Sequence, residues 1–212
     1  MKSLAETYKK IWTKQFSAWA FEGALLLIIA LIANFFAIRY ATESVSAPVT
    51  DIIISNIRVY DVDWIIVYGA MGLIFFASIV TLSQPKRIPF VLKSVSLFIL
   101  IRSVSISLTH IGPFSPQDVI DPTRILNALG ITSSADLFFS GHTGMPFLLA
   151  LIYWDDKILR YVFLAVSLIF GVSVLLAHVH YSIDVFAAIF ITYTIFHISK
   201  YLFYKDWRLS LS

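Results

Sequence analysis

Six apolar runs dominate this chain, at 16–40, 64–82, 89–111, 141–154, 159–177 and 183–204. Each is near the roughly 20 residues that carry a helix across a bilayer. The fourth is the shortest and is extended backward through the Leu-Phe-Phe-Ser of 137–140. Charged residues make up 14% of the chain, where ordinary soluble domains carry about a quarter. A chain of 212 residues so poor in charge cannot cover a globular surface with polar groups, so lipid must be its solvent. The expected fold is all-α, an integral membrane bundle of six transmembrane helices. It forms a single domain over 1–212, with a short basic cytoplasmic segment at about 1–15.

Basic residues decide the sidedness. Lys2, Lys9, Lys10 and Lys14 precede the first run, and Lys86 and Arg87 separate the second from the third. Lys157 and Arg160 separate the fourth from the fifth, and Lys200, Lys205 and Arg208 close the chain. The opposite loops hold Glu43, Asp51, Asp61, Asp63, Asp118, Asp121 and Asp136 against Arg58 and Arg124. Both termini are therefore expected in the cytoplasm. The N-terminal segment reads as a basic amphipathic stretch before a retained first span, because the run behind it is too long for a cleavable signal. No cysteine is present, which removes disulfide and thiolate-metal chemistry. The net charge of +3 is dispersed along the chain, so no nucleic-acid partner is expected.

Two apolar runs open with residues that do not belong in a lipid-facing helix. The fourth begins Ser140-Gly141-His142-Thr143, and the sixth follows the stretch "AHVHYSIDV" with His178, His180 and Asp184. With the sidedness above, both clusters emerge on the non-cytoplasmic face at headgroup depth. Residues four apart share a helix face, so Asp184 can accept a hydrogen bond from one imidazole nitrogen of His180. That bond fixes the tautomer, leaves the other nitrogen's lone pair available, and stabilises the charge that develops on attack. His142 can then protonate a leaving oxygen. Ser140 and Gly141 supply a helix start that favours phosphate, and Gly141 lets a ligand approach the backbone. Arg102 lies within the third run, where a charge costs on the order of 3 kcal/mol and commonly faces a polar cavity. A substrate phosphate would satisfy it in bidentate geometry; so would Asp184, or a guanidinium reaching toward the external face. Together these residues describe phosphoryl transfer at a lipid headgroup.

The stretches "ADLFFSGHT" and "AHVHYSIDV" resemble the third and fourth signature motifs of the sphingomyelin synthase family, a branch of the type 2 phosphatidic acid phosphatase (lipid phosphate phosphatase) superfamily. "LIRSVSISLTHIGP", around Arg102, is similar to that family's second motif, and Pro48 and Asp51 match its first. The resemblance implies a phosphohistidine-type intermediate on His180, with Asp184 as its carboxylate partner and His142 protonating the departing lipid alcohol. It also implies a phospholipid donor, a ceramide or diacylglycerol acceptor, and no metal or other cofactor. Ser134-Ala135 stand where the family has Cys-Gly, "PVTD" stands for its Pro-Leu-Pro-Asp, and Ser173-Val174 stand where the broader phosphatases have Ser-Arg. The last of these, together with the lack of the broader phosphatases' Lys-rich first motif, places the chain nearer the synthase branch.

Other readings compete. If water resolves the intermediate, the same three residues make a lipid phosphatase or a phospholipase C-type hydrolase. Three histidines and a carboxylate also suit zinc, but no HExxH pairing appears. A small transporter would use His142, Arg102 and Asp184 as a path, yet the chain shows no internal repeat. His110 and His197 read as interfacial anchors, His178 as a supporting or interface residue, and Asp136 as a helix cap. Trp64, Tyr60, Trp154 and Trp207 read as an aromatic belt, leaving Tyr181 as a substrate contact. The expected setting is a bacterial inner membrane, with the site on its exoplasmic or periplasmic face.

Overall fold

A computed structural model describes residues 4–114 and 137–212. Among the described residues the regular structure is all helix, with no strand. The helices are α1 (Leu4–Ile11), α2 (Lys14–Glu43), α3 (Asp63–Ser83), α4 (Ile88–Leu108), α5 (Gly141–Ile152), α6 (Lys157–Leu176), α7 (Ser182–Leu202) and α8 (Tyr204–Ser210). Local chemistry sets several of the starts. The Thr13 hydroxyl accepts the Phe16 amide at the head of α2, and Asp156 accepts the amides of Ile158 and Leu159 at the head of α6. Proline stands in the first turn of α4, where its missing N–H costs nothing.

Among the described residues five helices are long and apolar enough to cross a membrane: α2, α3, α4 with its preceding turn, α6 and α7. Their outward faces carry exposed Phe21, Phe75, Leu168 and Phe186, a surface suited to hydrocarbon and not to water. This is an integral membrane protein. The fourth apolar run forms a shorter helix than the other five. α5 has 12 residues, about 18 Å at 1.5 Å per residue, against a hydrocarbon core of roughly 30 Å. The extension through 137–140 is not helical: Phe138 has φ 135° and Ser140 is extended at the N-cap. Leu137 and Phe139 are buried, so protein covers this stretch, the condition under which irregular backbone is tolerated at membrane depth.

α5 is the central helix, with Leu148, Leu149, Ala150, Leu151 and Ile152 all buried between α6 and α7. α2 runs along α4, and the approach is close because Gly23 has no side chain. A Cβ there would lie 2.9 Å from the Leu92 Cβ, the small-residue contact common between membrane helices. Four of the serines that make α4 look polar, Ser96, Ser103, Ser105 and Ser107, return their hydroxyls to carbonyls four residues back. Those bonds spare them an unsatisfied donor in lipid. Arg87, counted above among the basic residues of its loop, is buried. Its guanidinium donates to the Ile152 carbonyl at 2.8 Å and to Asp155, and packs over the Tyr153 ring. It fastens the α3–α4 turn to the C-terminal end of α5.

Candidate active site

The turn between α6 and α7 sets His180 in place. The Val179 amide donates to the Val174 carbonyl at 2.9 Å and the His178 amide to Leu175 at 3.1 Å, the paired bonds of a Schellman helix end. His178 occupies the left-handed position of that motif, φ 54°, where glycine is usual. Its ring packs edge-on against Phe114. Two residues later His180 turns inward. Its Nδ1 lies 3.2 Å from Asp184 Oδ2, with His180 4% and Asp184 1% exposed. The same carboxylate oxygen accepts the Tyr181 amide at 3.1 Å, so the backbone fixes the carboxylate while the carboxylate orients the ring. With Nδ1–H donating to Asp184, the His180 lone pair sits on Nε2.

The start of α5 meets this turn through main chain. The Ser140 amide donates to the Asp184 carbonyl at 3.0 Å, and the Ser140 hydroxyl accepts the Thr143 amide at 3.4 Å, capping the helix. Asp136, expected to cap this helix, lies outside the described residues. His142 is partly exposed, and its ring centre is 6.3 Å from that of His180. Phe170 of α6 stands 6.0 Å from His142 on another side. Arg102 comes from α4 and is buried. Its guanidinium lies across Gly141: a Cβ there would be 3.1 Å from Nε and 3.5 Å from Cζ. The structure thus gathers His142, His180, Asp184, Arg102, Ser140 and Gly141 around one helix start. Among the described residues no three histidine, aspartate or glutamate side chains group as a metal site.

Tyr181 is buried, and its hydroxyl is engaged with backbone. It donates to the Gly112 carbonyl at 2.8 Å and accepts the Val49 amide at 3.1 Å. The side chain expected to touch substrate therefore ties the 44–62 loop and the end of the α4 segment to the α7 start. His110 lies beside Tyr40, and His197 is exposed beside Tyr193 on α7. Trp207, read as part of a belt, packs against Phe90 and Phe196 of the core.

Asp51 is the residue whose importance sequence reasoning underrated. Its Oδ2 accepts both the amide and the hydroxyl of Ser182 at 2.7 Å, and its Oδ1 accepts the amides of Ile53 and Ile54. It thereby caps α7 from a loop 131 residues away in sequence, two positions from His180. Nothing in "PVTD" signals that contact beyond the isolated carboxylate. Burial pushes the Asp51 carboxyl up, but the hydrogen bonds from Ser182, Ile54 and Ile53 outweigh burial and hold it below its ordinary value. A carboxyl lowered by folding stabilises the fold above its unfolded pKa, about 4, and that contribution is lost as pH falls through the folded value. Asp51→Asn is expected to lower thermal stability at neutral pH, with the difference from the parent shrinking below about pH 4. Melting of both proteins in detergent across pH checks this; a constant difference would remove the charge from the account.

The geometry can be set beside known families. Residues 134–201 match the family model PAP2 superfamily C-terminal. The PAP2 match covers less than half of the chain and includes His142, His180 and Asp184, while Asp51 and Arg102 lie outside it. It supports the PAP2, or lipid phosphate phosphatase, superfamily in general, and with it an enzyme of the lipid phosphatase or phosphotransferase kind. Neither a curated protein nor a solved structure gives a match.

Proposed function

We propose that this protein is a membrane lipid phosphotransferase that moves a phospho-headgroup from a phospholipid donor to a lipid alcohol, ceramide or diacylglycerol, as sphingomyelin synthases do. The observation that carries the reading is the buried His180–Asp184 pair facing His142 across 6.3 Å between ring centres. Attack needs roughly 3–3.5 Å on the nucleophile side and proton transfer roughly 2.6–3.2 Å on the acid side. Rings this close can reach the same phosphoryl group, one at phosphorus and the other at the leaving oxygen. The His180 Nε2 lone pair attacks phosphorus and the bond to the donor's alcohol oxygen breaks. His142, protonated, delivers its proton to that oxygen. The acceptor hydroxyl then loses its proton to His142 and attacks phosphorus, and the phosphorus–nitrogen bond breaks. Arg102 and the α5 start hold the phosphate oxygens.

The basic residues Lys9, Lys10, Lys14, Lys86, Lys157, Lys200 and Lys205 fall at one set of helix ends, opposite the end bearing His142 and His180. This supports cytoplasmic termini, a site on the far leaflet, and a single membrane unit in which α5 and the 137–140 stretch together make the sixth crossing.

The test is a turnover assay on the purified protein in detergent, offering choline, ethanolamine and inositol phospholipids and phosphatidic acid, with ceramide and diacylglycerol as acceptors. Headgroup on the acceptor supports the transferase. Free phosphate or free phospho-headgroup makes the same residues a hydrolase. Arg102→Lys keeps the charge but loses the planar fork and is expected to raise KM for the donor about tenfold, the worth of one charge-assisted hydrogen bond. An unchanged KM would make Arg102 a packing residue against Gly141.

A further inference from the structure

A second group of buried charges lies far from the histidines. Lys93, on α4, is nine residues before Arg102, about 14 Å along the helix axis. Its ammonium donates to Glu22 of α2 and to Asp206 of α8, each at 2.9 Å. The Lys93 side chain is 6% exposed, Asp206 5% and Glu22 59%. One cation thus serves two carboxylates, and the trio is short of one positive charge. The shortage has a location: Asp206 Oδ1 is buried without a hydrogen-bond partner, which costs free energy unless a donor reaches it. These three residues line a crevice of about 720 Å³, within the range of small-ligand sites. Exposed Leu25 and Leu202 line it as well, and Lys205 stands at its rim.

We propose that this crevice is a lipid site, distinct from the catalytic one, which takes a zwitterionic phospholipid whose headgroup ends in a primary ammonium. The ammonium supplies the missing charge and an N–H donor for Asp206 Oδ1, which a quaternary ammonium lacks. Lys205 meets the phosphate, and the leucine wall accommodates acyl chain. The source is a lipid rather than a soluble amine because the wall beside the charges is apolar and faces outward.

Native mass spectrometry of the detergent-solubilised protein tests this with dioleoyl phosphatidylethanolamine, its choline counterpart and phosphatidylglycerol at equal ratios. The ethanolamine lipid should be retained about tenfold over the others, the worth of one charge-assisted hydrogen bond. Glu22→Gln and Asp206→Asn should each remove that preference. Glu22 is the exposed partner, so its substitution leaves the buried Lys93–Asp206 pair intact even where Asp206→Asn fails to fold. Equal retention of the three lipids overturns the proposal. A preference that survives Glu22→Gln belongs to the histidine site and overturns it too. Displacement of the bound lipid by free ethanolamine at equal concentration would reassign the crevice to soluble amines and overturn it likewise.

Discussion

His180→Ala is expected to lose headgroup turnover by roughly a thousandfold or more, because the proposed covalent route has no other nucleophile. Radiolabelled phospholipid should leave acid-labile label on the parent protein and none on the variant. Asp184→Asn separates charge from orientation. The amide oxygen can still accept the Tyr181 N–H, now made to Asp184 Oδ2 at 3.1 Å. The same oxygen position can also keep the His180 Nδ1–H, but the negative charge that stabilises the ring as positive charge develops on it is gone. Turnover should fall by about 10²–10⁴-fold with the melting temperature nearly kept. Near-normal turnover in either variant would remove His180 as nucleophile.

The second large effect concerns His142 and depends on the leaving group. A lipid alkoxide is a poor leaving group and needs a proton as the bond breaks, whereas p-nitrophenolate does not. His142→Ala should therefore lower turnover of lipid donors by about 10²–10⁴-fold, the usual range for a general acid. Release of p-nitrophenol from p-nitrophenylphosphorylcholine should change by about tenfold or less, since protonation contributes little there. Equal losses on both substrates would make His142 a binding or structural residue. Its partly exposed position agrees with a group that must exchange protons, unlike the buried His180.

Much of this candidate site is legible in the sequence. The i,i+4 spacing of His180 and Asp184, the small residues opening the fourth run and the depth of Arg102 each follow from helical period and the cost of charge in lipid. The first and last are realised as a 3.2 Å contact and as a guanidinium lying on Gly141. What sequence pattern could not carry are contacts without a period. Asp51 reaches Ser182 through a loop, and Tyr181 spends its hydroxyl on two distant backbone groups. His178 stands in a left-handed turn where glycine would have announced the bend. The length of α5 is not legible in composition for a related reason. Apolar residues at 137–139 read as helix by composition, but Ser140 caps at its own position and leaves them as buried irregular chain.

The hydrogen bond from the Ser140 amide to the Asp184 carbonyl carries no side-chain identity. The spacing of the two histidine-bearing turns is thus inherited through peptide groups, and substitution around them can drift without altering it. Proline is the exception at position 140, since it alone lacks the N–H. A lineage of such sequences could therefore diverge in headgroup pocket and acceptor wall while the distance between acid and nucleophile stayed fixed.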